Sequence, residues 1–240
     1  MQLSGNKILI TGGASGIGLG LTERFVKEGN TVIVCGRREN ILKEATEKLP
    51  GVITKICDLS LAEERENLFH WIKSEHADLN VLINNAGIQN WMNITDPDFM
   101  IKAKQEIAIN IEAPLHLTNL FIRLPNLKTV MNVTSGLAFS PMAKVAVYSA
   151  TKAFLHSFTL SAQYFLQPKE IEVIEIVPPA LNTDLGGKGL HDYAPPVTDF
   201  IESIFEQLKA GKKQLTFGYS ETLANLAAEQ LKTFFNRMNP

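Results

Sequence analysis

Lys7-Ile8-Leu9-Ile10 runs directly into Thr11-Gly12-Gly13-Ala14-Ser15-Gly16-Ile17-Gly18 near the start of the chain. The four apolar residues do not alternate with polar ones, a pattern typical of a strand that is covered on both faces in a parallel sheet. After the glycines, Ile17, Leu21 and Phe25 recur at intervals of four, which predicts a helix that begins in the turn. A strand, a glycine turn and a helix direct backbone N–H groups and the positive end of the helix dipole at an anion. The stretch therefore predicts a phosphate-binding turn.

Two interpretations of this turn stay open. A tight turn between a strand and a helix needs glycine for backbone reasons alone, and the spacing Gly12-x-x-x-Gly16-x-Gly18 departs from the G-x-G-x-x-G fingerprint. Leu19 excludes a P-loop, which would have lysine there. We favour dinucleotide binding because the turn follows a buried strand and opens a helix. The predicted contacts in the turn are Gly12, Ser15, Gly16, Ile17 and Gly18.

The end of the second predicted strand indicates which dinucleotide is preferred. The apolar run at 31–35 ends in Gly36-Arg37-Arg38, and positions 35–38 contain no acid. A carboxylate here would bind the ribose 2′-hydroxyl of NAD, whereas an arginine accommodates the 2′-phosphate of NADP. Arg37 and Arg38 therefore favour NADP over NAD, although an arginine here could also simply begin the next helix.

Strand and helix patterns alternate along the rest of the chain. Strands are predicted at 7–10, 31–35, 52–57, 80–83, 128–134, 171–177 and 214–217. Helices are predicted at 17–29, 39–49, 61–74, 98–112, 115–123, 147–166, from 198 and at 221–235. This alternation predicts the α/β class, with a doubly wound, mostly parallel Rossmann-like sheet of about seven strands and helices on both faces.

The length of the chain and one irregular stretch bear on its domain organisation. A chain of 240 residues suits a single dinucleotide-binding domain over 1–240. The stretch 180–196 has three glycines and neither helical nor strand periodicity. It is interpreted either as a substrate lid or as an ordinary mobile loop.

Composition and charge exclude several classes of function. The net charge is −2, with Lys and Arg scattered along the chain, which argues against nucleic-acid binding. No stretch approaches the roughly 20 apolar residues that span a bilayer, so no membrane association is expected. The start of the chain lacks a secretory signal, and Cys35 and Cys57 lie in strand-like runs, so a cytoplasmic protein with reduced thiols is expected. The five histidines show no metal-ligand spacing, so no metal is implied.

The candidate catalytic group consists of Ser135 and the stretch Tyr148-Ser149-Ala150-Thr151-Lys152. On a helix, Tyr148 and Lys152 share a face, and an ammonium beside a phenol lowers the phenol's pKa from about 10. Ser135, at the carboxyl end of the fifth predicted strand, could donate to an oxygen on which negative charge develops. The alternative is a chance Tyr-Lys pair on an exposed helix face, which is common.

Polar or small residues also follow the third and fourth predicted strands. Asn84-Asn85-Ala86-Gly87 suits either a close approach of backbone to a ligand or a plain turn. Asp58 either caps the next helix or contacts an adenine. Asn110, inside an apolar segment, is either a structural hydrogen-bonding residue or a relay through water to Lys152.

Apolar side chains in two places predict packing surfaces. The long helix carries Phe154, Phe158, Ala162 and Phe165 on one stripe, which indicates core or a subunit interface and favours a homo-oligomer, a dimer or tetramer. Four apolar residues fall in the loops that are expected to line the substrate pocket. Part of that pocket is therefore predicted to be apolar. These residues are Trp91, Phe139, Met142 and Tyr193.

The order and spacing of these motifs resemble the single-domain branch of the short-chain dehydrogenase/reductase family over nearly the whole chain. The resemblance is carried by Thr11-Gly12-x-x-x-Gly16-x-Gly18, Asp58, Asn84-Asn85-Ala86-Gly87, Asn110, Ser135 and Tyr148-x-x-x-Lys152. It implies that Tyr148 is the acid/base, that Ser135 steadies the substrate oxygen and that Asn110 holds a water in a proton relay. Lys152 would also bind the nicotinamide ribose. The segment 177–185 resembles bacterial DltE-like oxidoreductases, a subgroup whose name specifies no substrate.

The resemblance also extends the set of cofactor contacts. Arg37 resembles the residue that reads the 2′-phosphate, and Asp58 would approach the adenine. The remaining implied cofactor contacts are Leu59, Asn85, Ala86, Gly87, Tyr148, Lys152, Pro178 and Thr183. Pro179 departs from the family pattern, because it stands where the family has glycine, and a proline fixes φ and removes an N–H beside the nicotinamide.

The sequence therefore predicts an NADP-dependent oxidoreductase that interconverts a carbonyl and an alcohol of a small-molecule substrate. One alternative is a cofactor-binding regulator or scaffold that keeps the fold and turns over little. Another is a nucleotide-fold methyltransferase, which explains neither Arg37 nor the Tyr-Lys pair.

Overall fold

The computed structural model describes residues 1–239, and a parallel β-sheet forms its centre. Its strands are β1 (Lys7–Thr11), β2 (Thr31–Gly36), β3 (Ile53–Ile56), β4 (Val81–Asn84), β5 (Thr129–Val133), β6 (Glu172–Val177) and β7 (Gln214–Thr216). They are hydrogen-bonded in the order β3-β2-β1-β4-β5-β6-β7, and every neighbouring pair is parallel. The predicted doubly wound sheet is confirmed.

Helices cover both faces of this sheet. They are α1 (Gly16–Lys27), α2 (Glu39–Lys48), α3 (Ala62–Glu75), α4 (Phe99–Ile107), α5 (Ala113–Phe121), α6 (Ala146–Leu166), α7 (Val197–Lys209), α8 (Tyr219–Asn225) and α9 (Ala228–Met238). Short 3-10 turns lie at Gly136–Ala138, Ala143–Val145 and Gln167–Lys169. No helix within 1–239 is long and apolar enough to cross a bilayer.

The core lies in two layers, one on each side of the sheet. Successive strand side chains point to opposite faces, so Ile10 packs into one layer and Leu9 into the other. On the first face, Phe25 of α1 meets Phe205 of α7 with ring centroids 4.8 Å apart. The second face is covered by α3, α5 and α6, and Phe121 of α5 is fully buried there. Because both faces are covered, the inner strands β1 and β4 consist mostly of apolar residues, whereas the edge strand β3 does not.

The strand order creates a crevice at one place along the sheet. The chain moves outward from β1 to β3 and then returns to place β4 on the other side of β1. Open α/β sheets bind ligands outside the carboxyl ends of strands at such a switch point. Gly12–Gly18 follows β1 and Asn85–Gly87 follows β4, so the fold brings these two segments to the same crevice.

Two predicted helix boundaries are wrong. The helices predicted at 98–112 and 115–123 are joined without a break by a π-helical turn, Ala108–Glu112, in which Ala113 donates to the carbonyl oxygen of Ala108. Pro114 lies just after this turn and has no N–H to give to the carbonyl oxygen of Asn110 four residues earlier. A wider turn accommodates the proline without ending the helix.

The helix predicted at 221–235 is divided into α8 and α9. Leu226 is extended, with ψ 143°, and the backbone N–H of Ala227 is bonded to Oε1 of Gln230 at 3.0 Å. Gln230 thereby caps the start of α9. The apolar periodicity continues across this break, so periodicity alone did not reveal it.

Candidate active site

Ser135, Tyr148 and Lys152 meet at the carboxyl end of β5. Ser135 follows this strand, and its Oγ accepts a hydrogen bond from the backbone N–H of Leu137 at 3.1 Å, which starts a 3-10 turn. Tyr148 and Lys152 lie one turn apart on α6 and are buried, with 5% and 3% of their surfaces exposed. Lys152 Nζ lies 5.6 Å from the centroid of the Tyr148 ring.

Burial determines the proton affinity of Tyr148. Burial raises the pKa of the phenol to about 12, a hydrogen bond from the Ser135 hydroxyl opposes this rise, and the negative charge of Glu106 adds to it. The prediction that the ammonium of Lys152 holds this pKa below its ordinary value is therefore wrong for this structure, because burial raises the pKa and Lys152 is not among the groups that shift it. At neutral pH the phenol keeps its proton.

The ammonium of Lys152 is fixed by the sheet. Nζ donates to the carbonyl oxygen of Val133 at 2.8 Å, and burial lowers the pKa of Lys152 to about 8. A Cβ added to Gly87 would lie 3.5 Å from this Nζ and 3.4 Å from Oδ1 of Asn110. The segment after β4 therefore passes directly beside the ammonium, and a residue without a side chain permits that approach.

Asn110 ties the helix α4–α5 to the segment after β4. Its Oδ1 accepts from the N–H of Ile88 at 2.9 Å, and its Nδ2 donates to the carbonyl oxygen of Ile88 at 2.9 Å and to Oγ1 of Thr151 at 3.1 Å. The Asn110 side chain is therefore a structural hydrogen-bonding residue, which was one of the two interpretations. The water relay stays a prediction.

The glycine turn has the close backbone contacts expected of an anion-binding turn that opens a helix. Gly12 and Gly16 have φ of 63° and 52°, conformations that residues with side chains rarely adopt. A Cβ added to Gly18 would lie 2.2 Å from the carbonyl oxygen of Gly12, so only glycine fits. The first turn of α1 contains no acidic residue, and its N–H groups lack intrahelical acceptors. Ser15 and Ile17 flank Gly16 in this turn, so all five predicted residues lie together.

The two asparagines after β4 have different environments. Asn85 donates to the carbonyl oxygen of Thr11 at 2.9 Å, and the N–H groups of Asn85 and Ala86 both donate to Oγ1 of Thr11 at 3.0 Å. Asn84 is buried in the sheet, where its Nδ2 donates to Oδ1 of Asn132 at 2.9 Å. Asn85, Ala86 and Gly87 thus border the crevice, whereas the Asn84 side chain braces the strands.

Arg37 and Arg38 lie exposed at the carboxyl end of β2. Nη2 of Arg38 lies 3.4 Å from Oγ of Ser15 in the glycine turn. Burial alone would raise the pKa of Asp58, but hydrogen bonds from Ser60 and the positive charge of Arg37 lower it. Both arginines therefore border the same end of the crevice.

Asp58 and Leu59 follow β3 beside these arginines. Oδ1 of Asp58 accepts from the N–H and the hydroxyl of Ser60, at 2.9 and 2.7 Å, and α3 begins only at Ala62. Asp58 thus closes a local turn and does not cap the helix. Leu59 is buried, and its carbonyl oxygen accepts from Nη1 of Arg65 at 2.7 Å.

The segment after β6 approaches the glycine turn. The carbonyl oxygen of Pro178 accepts from the N–H of Gly136 at 2.9 Å, next to Ser135. A Cβ added to Gly16 would lie 3.5 Å from Cγ2 of Thr183. Pro178 and Thr183 therefore connect the glycine turn with the Ser135 end of the crevice. Between them Pro179 is partly buried.

An apolar cavity of about 860 Å³ lies next to this group. Trp91 and Met142 line it, as predicted, together with Ser149, which neighbours Tyr148, and with Phe235 of α9. Phe139 and Tyr193 do not line this cavity. Phe139 packs on His156 with ring centroids 4.7 Å apart, and Tyr193 is 81% exposed.

Sequence reasoning missed Glu106. This glutamate of α4 is fully buried, and its charge acts on Tyr148. The available signal was its position one helical turn before Asn110, on a helix face that is otherwise turned toward the crevice. Burying a charged residue there costs free energy, and burial accordingly raises the pKa of Glu106 to about 7.

These residues fit a dinucleotide. Glycines at 12, 16 and 18 leave the turn without side chains where backbone groups crowd together, and two arginines border the end of the crevice next to β2. Among residues 1–239, no group of three or more His, Cys, Asp or Glu is arranged to hold a metal ion.

Comparisons with known proteins agree with this geometry. Residues 6–193 match the family described as short chain dehydrogenase. The uncharacterized oxidoreductase DltE of Bacillus subtilis (strain 168) is 39% identical over 250 aligned positions, which cover 100% of this chain and 98% of that protein. The predicted likeness to DltE-like oxidoreductases is thereby confirmed.

Two solved structures resemble the whole chain. A short chain dehydrogenase from Burkholderia cenocepacia J2315 in complex with NADP has a TM-score of 0.83 at 25% identity over 99% of both chains. A short chain dehydrogenase/reductase from Burkholderia phymatum in complex with NAD has a TM-score of 0.83 at 17% identity over 100% of this chain and 99% of that one, a likeness of fold. Proteins of this fold thus hold either dinucleotide, so the choice between the two depends on local residues.

Proposed function

The chain belongs to the short-chain dehydrogenase/reductase family, and from this premise we propose that it is an NADP-dependent oxidoreductase that interconverts a carbonyl and an alcohol. One observation carries the proposal: Ser135, Tyr148 and Lys152 converge beside Gly87, at the crevice that the glycine turn also borders. When bound, the nicotinamide supplies or accepts the hydride.

Tyr148 acts as the acid/base in this proposal. Its raised pKa keeps the phenol protonated at neutral pH, which is the form that can give a proton to a developing alkoxide. Ser135 donates a hydrogen bond to the same oxygen. Lys152, held by Val133, keeps a positive charge next to the phenol and reaches the ribose. Asn110 holds a water in the proton relay.

The proposed cofactor preference is NADP over NAD. It is supported by the exposed Arg37 and Arg38 at the end of β2, where a guanidinium can bind a 2′-phosphate in a bidentate manner. The proposed contacts are Gly12, Ser15, Gly16, Ile17, Gly18, Arg37, Arg38, Asp58, Leu59, Asn85, Ala86, Gly87, Tyr148, Lys152, Pro178 and Thr183.

We propose that residues 1–240 form one domain and that the loop around 180–196 is its substrate lid. The bond from Asn182 N–H to the carbonyl oxygen of Pro195, 2.9 Å long, supports the lid by closing the base of the loop.

We also propose that the chain forms a homo-oligomer. Met100 and Ile101 on α4, and Phe154, Tyr164 and Phe165 on α6, are large hydrophobic residues with 42–75% of their surfaces exposed. Apolar surface of this kind is typical of an interface. Light scattering should give more than one chain per particle, and Phe165→Lys should shift the particle toward a monomer. A parent protein that is monomeric at micromolar concentration would contradict the proposal.

Cytoplasmic residence is the proposed location. It is supported by Cys35 and Cys57, which are both buried free thiols. Burial raises the pKa of both thiols, that of Cys57 to about 12, so neither is a reactive thiolate.

A carbonyl panel tests the proposed function. Purified protein should oxidise NADPH with at least one aldehyde or ketone, and Tyr148→Phe should lower kcat by about 10²–10⁴ with nearly unchanged NADPH affinity. Tyr164→Phe is the matched control, because Tyr164 lies on the same helix but is 75% exposed. A Tyr148→Phe protein as active as the parent would show that the assigned acid is wrong. NADPH binding without turnover on the whole panel would favour a regulator.

A further inference from the structure

Glu175 places a carboxylate inside the sheet. It is the only charged residue from Val173 to Val177 of β6, and 1% of its surface is exposed. Its neighbours on the adjacent strands are Asn132 of β5 and Gln214 of β7. Removing a charge from water is costly unless it is paired and hydrogen-bonded, and an apolar side chain of similar volume often gives equal or greater stability. The carboxylate therefore calls for an explanation beyond packing.

Both oxygens of this carboxylate are hydrogen-bonded. Oε1 accepts from Oγ1 of Thr134 at 2.7 Å and bonds to Nδ1 of His156 at 2.8 Å. Because an ionised carboxylate can only accept, Nδ1 is the imidazole nitrogen that carries the proton. Oε2 accepts from Nε2 of Gln214 at 2.9 Å. The hydrogen bond to Glu175 also raises the pKa of His156 above its ordinary value, although burial opposes the rise.

The two groups that meet at Oε1 lie next to the catalytic side chains. Thr134 follows Val133 and directly precedes Ser135. The carbonyl oxygen of Val133 accepts from the ammonium of Lys152 at 2.8 Å. His156 lies one helical turn after Lys152 on α6. The carboxylate therefore ties the strand end that leads to the serine to the helix that carries the lysine.

The ring of His156 is also in contact with the segment that follows the serine. Phe139 packs on this ring, with centroids 4.7 Å apart. The same segment begins with the 3-10 turn in which the hydroxyl of Ser135 accepts from the N–H of Leu137 at 3.1 Å. The imidazole thus contacts the carboxylate on one side and the serine segment on another.

We propose that Glu175, with Thr134 and His156, forms a positioning cluster, which fixes the end of β5 and its serine against α6 and its tyrosine and lysine. This inference rests on the proposed function and adds residues that act in the same reaction. The cluster acts through the backbone of β5 and through α6, and we assign it no contact with the substrate. A displacement of about 1 Å in a catalytic group can lower a rate by up to about 10²-fold, so such a cluster affects kcat.

Thr134→Val tests the strand side of the cluster, with NADPH and a ketone or aldehyde that the parent reduces. The variant keeps the shape of the side chain and loses the hydroxyl that donates to Glu175. Its kcat should fall about 10-fold, while KM and the Kd for NADPH stay within about twofold of the parent. Thr134→Ser keeps a hydroxyl and should restore kcat to within about twofold.

Thr159→Val is the matched control. Thr159 is as deeply buried as Thr134 and lies on α6, where its Oγ1 accepts from Nδ2 of Asn132 at 2.9 Å. The same substitution there removes a buried hydroxyl that is not part of the cluster. Its Tm should fall, because Asn132 loses a partner, whereas kcat per folded protein should stay at the parent's value.

His156→Leu and His156→Asn test the helix side, at a residue that is only partly buried. Leucine removes the donor to Glu175 and should lower kcat about 10-fold with nearly unchanged KM. Asparagine has Nδ2 where the ring has Nδ1, so it should retain most of the parent's kcat. This pair decides the proposal if Thr134→Val does not fold.

Three results would contradict the proposal. Unchanged kcat in both Thr134→Val and His156→Leu would overturn the positioning cluster while the proposed function stands. A fall in kcat for Thr159→Val as large as that for Thr134→Val would also overturn it, because any lost buried hydrogen bond would then have the same effect. A parent that binds NADPH but reduces no carbonyl of the panel would overturn both the cluster and the proposed function.

Discussion

The ammonium nitrogen of Lys152 lies 5.6 Å from the centroid of the Tyr148 ring and donates to the carbonyl oxygen of Val133 at 2.8 Å. Val133 is the last residue of β5, and Ser135 follows it by two positions. One strand end therefore positions both the charge and the hydroxyl group that face the phenol. Sites built on rigid elements in this way hold their geometry better than sites built on loops alone.

Replacing Lys152 should change how stability depends on pH. The pKa of Lys152 is lowered from 10.5 to about 8, so between these pH values the unfolded chain binds a proton that the folded protein has released. The parent's free energy of unfolding should therefore rise with pH across this range, by about 3 kcal/mol for this group. Lys152→Met lacks this rise, so its stability relative to the parent should fall by about 3 kcal/mol from pH 7 to 10.5.

Urea unfolding of both proteins at several pH values, without added cofactor, measures this difference. Lys169→Met is the control, because Lys169 is exposed on a 3-10 turn. A difference between Lys152→Met and parent that does not vary with pH would show that the ammonium is not desolvated.

Arg37→Asp should change the cofactor preference. The substitution removes the proposed partner of the 2′-phosphate and places a carboxylate near Asp58, whose pKa Arg37 now lowers. The Kd for NADP should rise about 10- to 100-fold, a loss of 1.4–2.7 kcal/mol typical of a charged hydrogen bond, while the Kd for NAD should change little or fall. Calorimetric titration of both dinucleotides measures the ratio. Tighter binding of NAD than of NADP by the parent would overturn the assigned preference.

The fold could be predicted because its strands are covered on both faces. Ile8, Leu9 and Ile10 are all fully buried, so an inner strand such as β1 forms an apolar run that can be recognised without knowledge of its neighbours. The carboxyl ends of parallel strands share one edge of the sheet. Ser135 and the glycine turn, which follow β5 and β1, could therefore be expected together from sequence position alone. Tyr148 lies on α6, and its role beside them was implied by the family resemblance.

The features that could not be predicted depend on tertiary surroundings. The sign of the pKa change of Tyr148 depends on how much of the phenol is buried, which the Tyr-Lys spacing does not reveal. The position of Glu106 one turn before Asn110 indicates the crevice side of the helix, but its burial becomes evident only when the segment at 88–92 is known to cover it. The π-helical turn before Pro114 could not be predicted, because a proline is also common at the start of a separate helix.

Gly18→Ala should destabilise the protein through the glycine turn. The new Cβ would lie 2.2 Å from the carbonyl oxygen of Gly12 and 2.6 Å from Nδ2 of Asn85, and one of these contacts is with backbone that cannot easily move. A cost of about 3 kcal/mol is expected, as for overpacked sites. Gly36→Ala is the matched control, because its Cβ would meet only Cδ2 of Leu42 at 4.0 Å. Denaturant unfolding should separate the two variants, and equal midpoints would contradict the tight turn.

Asn239 near the carboxyl end should hold the loop between β5 and α6 in place. Its Oδ1 accepts from the N–H of Ala143 at 2.6 Å, and its Nδ2 donates to the carbonyl oxygen of Pro141 at 3.1 Å. Asn239→Ala removes both bonds, each worth about 1 kcal/mol, so the loop should open more often. Trypsin should then cleave after the exposed Lys144 about 30-fold faster at low protease concentration, where cleavage follows the population of open loops. Asn225→Ala, which removes a bond within α8, is the control. Cleavage at the parent's rate would mean that the loop does not depend on the clamp.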